Sequence, residues 1–329
     1  MEIIAAPLQG RRLAALRDFL LKNGINYDEG VQFTVLALED DDIIASGSLD
    51  GNVLKCIAVS AEHQGGGLAA TVVSRLVSQA VLEGIIHLFL FTKPENDRLF
   101  AGLGFYEIAR TEDVLLMENK RGGIREFVMS LEAPPCEGVV GAVVANCNPF
   151  TNGHLYLVEK ASAGCDLLRL FILSEDKSRF SASNRLELVR AGTKHLKNVV
   201  VHPTGSYLVS SATFPDYFLK DKAGAGDVST ALDLTVFAEC FARPLGITKR
   251  FVGTEPLCSV TSAYNRQMKL ILPERGVEVV EIPRMEIGGE PVSASRVREL
   301  LDRGDMAGLR PLVPETTFSF LERMRFHDR

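Results

Sequence analysis

The sequence predicts an α/β protein in two parts: a mixed α+β domain, then a domain built on a parallel sheet. Three observations carry that expectation. Strand-like and helix-like runs alternate regularly only in the later part of the chain. Between two apolar segments stands Pro134-Pro135, and proline resists both helix and central strand, as a linker requires. The length of 329 residues suits two domains, at roughly 100–200 residues each. The domains expected are residues 1–132 and 138–329.

Composition narrows the class. Hydrophobic residues make up 46% and charged residues 24%, the ordinary globular mix, which sets aside long disorder and fibrous repeats. No apolar run reaches the roughly 18–20 residues of a membrane helix. The first residues carry Glu2, Arg11, Arg12, Arg17 and Asp18 without a secretory core, so no signal peptide and no membrane partner are expected. The net charge of −6 argues against a nucleic-acid partner, since phosphate neutralisation needs a basic field. Cys56, Cys136, Cys147, Cys165, Cys240 and Cys258 form no CxxC pair and no zinc spacing. They read as reduced thiols in a cytoplasmic protein, with no protein metal site.

In the first part, residues 11–22 have helical spacing. Strand-like runs follow at 33–38, 43–47 and 52–59. Gln64-Gly65-Gly66-Gly67-Leu68-Ala69 then opens a helix that runs to residue 80. A buried strand over 85–91 precedes a short helix and Gly102-Leu103-Gly104-Phe105. This is a mixed pattern with one glycine-rich strand-to-helix turn.

In the second part, residues 139–145 form a continuous apolar run, as expected of a strand buried on both faces. A helix over 154–163, a strand over 168–174, a helix over 184–195 and a strand over 199–202 follow. Later come the apolar stretch 231–241, a strand over 250–253, a helix over 262–272, a strand over 277–282 and a helix over 295–303. Such alternation implies a parallel sheet with right-handed crossovers. Ligands then belong at the carboxyl ends of the strands.

The first glycine turn can be an ordinary flexible turn, or its amides and helix dipole can take a pyrophosphate. With the strand before it, Gln64, Gly65, Gly66, Gly67, Leu68 and Ala69 resemble the pyrophosphate loop of the GNAT acetyltransferases. The strand over 85–91, Asn96 and Gly102-Leu103-Gly104-Phe105 resemble that family's second signature. The resemblance covers roughly residues 1–130 and implies a site for a CoA-like arm. Many members place a tyrosine general acid where this sequence has Phe100, which donates no proton. That departure puts acetyl transfer to an amine in doubt and leaves binding of the arm in place.

The second turn is Asn148-Pro149-Phe150-Thr151-Asn152-Gly153-His154. His154 near a helix start is a cap or exposed residue in the plain reading. In the other reading it meets a phosphate as charge develops. Pro291-Val292-Ser293-Ala294-Ser295-Arg296-Val297-Arg298 presents hydroxyls, amides and Arg298 at another helix start, again either a plain serine cap or a phosphate site. Together the two segments resemble the TxGH and I-S-S-T-x-V-R motifs of the nucleotidylyltransferase superfamily. They imply a Rossmann-like domain and attack on the α-phosphorus of a nucleoside triphosphate. Asp176-Lys177-Ser178-Arg179-Phe180 and Phe251-Val252-Gly253-Thr254-Glu255-Pro256 come after further strands, and Tyr264-Asn265 lies in the next helix.

A GNAT-like module before a TxGH module resembles the citrate lyase ligase family over nearly the whole chain. That resemblance implies ATP, with Mg²⁺ carried by the nucleotide, acetate as substrate, and the thiol of a phosphoribosyl-dephospho-CoA group on the citrate lyase acyl carrier protein as acceptor. It implies His154, Lys177 and Arg298 as catalytic. Asn148, Pro149, Phe150, Thr151, Gly153, Gly253, Thr254, Glu255, Ser293, Ala294 and Ser295 would bind the nucleotide, and the 64–69 loop the arm. Two other readings stay open: an adenylyl- or cytidylyltransferase of a cofactor precursor fused to an acetyltransferase, and a non-catalytic sensor of acetyl-CoA and ATP.

Overall fold

The computed structural model describes residues 2–175, 178–209, 225–255 and 259–327. They divide into two compact units. One is Met1–Glu126 together with Ser211–Val236, the other Phe127–Ser210 together with Phe237–Arg329. The linker over 132–138 is irregular, but the division falls a few residues earlier, and a later helix groups with the first unit.

The first unit begins with β1 (Glu2–Ala6) and α1 (Gly10–Lys22), then β2 (Phe33–Glu39), β3 (Asp42–Asp50) and β4 (Val53–Val59). Helix α2 (Leu68–Leu82) comes after the glycine loop. Then come β5 (Phe89–Thr92), α3 (Asp97–Gly102), β6 (Tyr106–Arg110) and β7 (Leu115–Glu118), with α4 (Gly123–Met129) at the division between units. The sheet order is β1-β2-β3-β4-β5-β7-β6, and only β4 and β5 run parallel. One face packs on α2, where Val72, Val73, Leu76 and Ala80 meet Val35, Leu54 and Leu90. These α2 positions recur at helical spacing and form one apolar stripe. The strand expected over 85–91 starts only at Phe89; the Ile85 N–H is still bonded back to the Ala80 carbonyl at the end of α2, and 85–88 are irregular.

β4 and β5 pair only at Val53 with Phe89 and Leu54 with Leu90. At Cys56 the backbone of β4 takes a φ of 52°, and the β3–β4 register shifts opposite it, between Ser46 and Ser48. Such a bulge bends its strand and re-aims the residues beyond it. Past Leu54 the two parallel strands therefore continue without pairing, and a cleft opens at their carboxyl ends.

The second unit contains β8 (Val140–Ala145), α5 (Asn152–Ala163), β9 (Leu167–Ile172), α6 (Ala182–Thr193) and β10 (Val199–Pro203). Helix α7 (Ala225–Val236), which groups with the first unit, continues into a π-helical turn at Phe237–Ala242. Then come β11 (Ile247–Gly253), α8 (Ser259–Glu274), β12 (Glu278–Ile282), the short pair β13 (Glu286–Ile287) and β14 (Glu290–Pro291), α9 (Ala294–Asp302), α10 (Met306–Leu309) and α11 (Glu315–His327). The five long strands are all parallel in the order β10-β9-β8-β11-β12. Chain order thus reverses direction between β8 and β11, which makes a topological switch point. One sheet face buries Leu168, Leu170, Ile172, Val143 and Phe251 against α5 and α6. A smaller cluster of Phe180, Val292, Val297, Leu312 and Phe318 fastens α9, α10 and α11.

Candidate functional site

At the switch point β8 ends and the chain turns into α5. Thr151 caps that helix: its Oγ1 accepts the His154 backbone N–H at 3.3 Å. In return the His154 side chain reaches back. Its Nδ1 accepts the Thr151 backbone N–H at 3.1 Å and lies 2.8 Å from the Thr151 hydroxyl. An Nδ1 that accepts is unprotonated, so the neutral ring carries its proton on Nε2. Burial, and then the positive charge of Arg284, push the imidazole pKa down to about 4. His154 is therefore a neutral donor near pH 7, aimed from the positive end of α5. The fully buried Phe150 stacks beneath it, with ring centroids 6.0 Å apart.

Gly153 sets the distance between the two phosphate-type motifs. A Cβ there would lie 2.9 Å from the Val292 carbonyl oxygen and 3.3 Å from its Cβ. Only glycine lets the first turn of α5 lie directly against the strand end that leads into α9. Ser293 caps α9 by accepting the Arg296 N–H at 3.2 Å. Arg298 then crosses back, donating to the Asn148 carbonyl at 2.6 Å and to the Ser295 hydroxyl at 2.9 Å. Asn148, His154, Ser293, Ser295 and Arg298 are thus brought together around two adjacent helix N-termini, where backbone amides and dipoles favour phosphate. Ala294 opens α9 between the two serines.

Behind this surface lies Arg185, 0% exposed. Its guanidinium donates to the carbonyls of Phe180, Asn146, Leu173 and Glu175 and to the Asn146 side-chain oxygen. It ties the loop after β9 to the loop after β8. Asn148 adds a further tie, its Oδ1 accepting the Phe180 N–H at 3.2 Å. So Asn148 and the buried Pro149 and Phe150 shape the turn from behind. Arg179 pairs with Asp302 across this region. Lys177 lies outside the described residues.

At the end of β11 the Gly253 carbonyl accepts from Asn265 at 3.0 Å. Thr254 and Glu255 are engaged by Arg284: Nε donates to the Thr254 carbonyl at 2.7 Å, and Nη2 pairs with the Glu255 carboxylate. Glu255 has only 6% of its side chain exposed. Its carboxylate is thus buried against Arg284. Pro256 lies outside the described residues.

The first unit holds a separate cleft of about 620 Å³ where β4 and β5 part, lined by Ile57, Val59, Gly65, Leu68, Asn96 and Phe100 among others. That volume suits a cofactor-sized ligand. Gly65 and Gly67 take φ of 82° and 79°, a left-handed region glycine enters without a Cβ penalty. Gly67 precedes α2, and no side chain caps that helix. Its first amides therefore remain available to an anion from solution. Gln64 reaches back to the Val59 carbonyl at 3.4 Å, while Gly66 and Ala69 complete the turn and first helical residues. Phe100, 3% exposed, closes the floor with hydrocarbon.

Two families match successive stretches of the chain, the later one running through the segment Ser211–Val236 that groups with the first unit. The citrate lyase ligase C-terminal domain family matches residues 140–321, and the acetyltransferase (GNAT) family matches residues 7–107. The chain is 39% identical to the citrate (pro-3S)-lyase ligase of Escherichia coli (strain K12), over 98% of this chain and 93% of the relative. It is 42% identical to the Klebsiella pneumoniae enzyme of the same name, over 95% and 93%. The chain belongs to the citrate (pro-3S)-lyase ligase family. The same name is carried by a relative from Haemophilus influenzae, 38% identical over 98% of this chain and 99% of its own.

Within this ligase, two residues central to the geometry leave no mark in the sequence. Arg185 gives no signal, because an arginine in a helix reads as a solvated charge unless its burial is known. Arg284 lies in Ile282-Pro283-Arg284, outside any recognised phrase, although it stands two residues past a strand end, where ligand-facing residues gather.

Proposed function

We propose that the ligase activates acetate with ATP in its second unit and passes the acetyl group to a thiol held by its first. In the first step an acetate oxygen attacks the α-phosphorus. The O–P bond forms, the bond from that phosphorus to the β-bridging oxygen breaks, and the electron pair leaves with pyrophosphate. In the second step the thiol sulfur of the CoA-like group on the citrate lyase acyl carrier protein attacks the acetyl carbon. The C–O bond to AMP breaks, and the thiol proton goes to solvent.

The observation that carries this reading is the His154 imidazole, held neutral with its Nε2 proton free at the N-terminus of α5, beside the α9 N-terminus. A neutral donor there stabilises negative charge on phosphate as it grows and needs no proton transfer. Ser293, Ser295 and Arg298 take the departing pyrophosphate oxygens. Among the described residues no cluster of three acidic, imidazole or thiol groups forms a metal cage. Magnesium would arrive on the nucleotide oxygens and neutralise their charge. Phe100 suits the second step, because a thiol acting as nucleophile needs no acid where a leaving thiolate would.

The test is acetate-dependent exchange of labelled pyrophosphate into ATP by the purified chain. Exchange that requires acetate is expected. Pyrophosphate release only on addition of a phosphorylated cofactor precursor would replace this reading with nucleotidyl transfer.

A further inference from the structure

We propose that Arg284 is the residue that receives and orients the carboxylate substrate in the adenylating step. This rests on the acetate-activation reading and names a group that it leaves unassigned.

Placement is the first support. Arg284 stands two residues past the end of β12, and β12 pairs with β11 beside the switch point. The next residue, Met285, accepts the Val292 N–H at 2.9 Å. Val292 in turn presses its carbonyl on Gly153, the residue before His154. A short chain of touching backbone thus runs from Arg284 to the imidazole. The Arg284 charge is also felt at His154, where it helps to keep the ring neutral.

Orientation is the second. The Arg284 guanidinium is held on one edge: Nε by the Thr254 carbonyl and Nη2 by Glu255. Its backbone N–H is fixed as well, donating to the Thr254 hydroxyl at 3.1 Å. Among the described residues Nη1 has no hydrogen-bond partner, and the side chain is 27% exposed. The Nη1–Nη2 edge therefore stands ready-made for a bidentate acceptor. A guanidinium fork matches a carboxylate in that way.

Charge decides the ligand class. Arg298 and two helix N-termini already face the polyanion. Arg284 carries a cation that Glu255 largely offsets, which suits a monoanion better than a triphosphate. Holding a carboxylate there beside the phosphate site supplies the proximity that an attack at phosphorus needs, about 3–3.5 Å. It also lowers the repulsion between two anions as they meet.

The test varies acetate at saturating ATP, and then ATP at saturating acetate, in the pyrophosphate exchange assay with the full chain. Arg284→Gln is expected to raise the acetate KM by about 10–100-fold, the usual size for one lost charged hydrogen-bonding pair. Its ATP KM should stay within about 3-fold of the parent, and guanidinium ion added to the buffer should restore part of the acetate affinity. Arg284→Lys keeps the cation without the fork and should raise the acetate KM by an intermediate factor, giving a second reading if the glutamine variant folds poorly. The proposal is overturned if the acetate KM of both variants is unchanged. It is equally overturned if the acetate and ATP constants rise together with a lowered melting temperature, the mark of a bracing role for the 254–255 loop. A parent enzyme with no acetate dependence would instead remove the adenylation reading itself.

Discussion

The N-termini of α2 and α5 both come after a strand and a glycine-bearing turn, yet they are finished in opposite ways. α2 starts from Gly67 with no side-chain cap and leaves its first amides open. α5 starts from Thr151, and His154 closes a reciprocal capping box. An uncapped terminus binds an anion by its backbone and is indifferent to what that anion does next. A capped terminus spends one amide of its first turn on a side chain, here the His154 N–H, and the ligand then also meets an imidazole whose tautomer has been set. On the proposed reading the first design would hold and the second would do chemistry, the division a carrier cleft and an adenylating site require.

The glycines differ in the same sense. Gly65 and Gly67 are needed for positive φ, with nothing within 4 Å of an added Cβ, whereas Gly153 is needed for space. The largest effect should therefore come from Gly153→Ala. The new Cβ would meet a backbone carbonyl, so α5 and α9 must separate. Pyrophosphate exchange should fall by at least about 100-fold, since small misplacements of a catalytic pair cost that much. Thermal unfolding should show a loss of about 1–3 kcal/mol, with the variant still folded at the assay temperature.

Comparable in size is His154→Ala, which removes the fixed Nε2 donor. Loss of such a donor lowers kcat by about 100–1,000-fold. The pH dependence sharpens the point. The native imidazole titrates near 4, while an unfolded one titrates near about 6.5. Above about 6.5 both states are neutral and the linkage is silent. As pH falls from there toward 4 the unfolded chain binds the proton first, so stability is lost through that window. His202 adds to the same slope, being held near 4 by burial and then by Arg169 and Arg190. Melting temperatures measured from pH 7 to 4 should drop along this window. Exchange by the parent enzyme should show no activation on passing below 6.5, as a cationic imidazole would require.

Much of this comparison was readable in the sequence. The two glycine turns, Thr151 through His154 and Ser293 through Arg298 announced themselves because local chemistry fixes them: a cap needs its residue at a set spacing, and a tight approach needs glycine. The alternation of apolar runs likewise placed the parallel sheet. The edge strand β1 and the hairpin strands β6 and β7 were not legible, because five or four residues with mixed polarity carry too little periodicity. Arg185 and Arg284 were not legible for a different reason. Their roles arise from carbonyls and a carboxylate that only the folded chain brings to them. The return of α7 to the first unit is a tertiary fact with no local mark. Phe150 and Glu255 were expected at the nucleotide. The fold sets the Phe150 ring beneath His154 and pairs the Glu255 carboxylate with Arg284.

The smallest of these effects belongs to Thr151→Ala. Losing the cap should cost about 1 kcal/mol of stability. It also frees the His154 ring to rotate, so exchange should slow more than the stability loss alone explains. Thr151→Ser, which keeps the hydroxyl, should restore both. Rates and melting curves on the two variants check it.

The division itself is tested most directly by replacing Gly65 and Gly67 together with alanine and assaying the two half-reactions side by side. Positive φ strains a residue that carries a Cβ by about 1–2 kcal/mol, so the loop should lose its shape while the sheet beneath it survives. Acetate-dependent exchange of pyrophosphate into ATP should persist at the parent rate, and acetylation of the citrate lyase carrier thiol should be abolished. Loss of both reactions, or retention of both, would contradict the separation of a holding site from a reacting one.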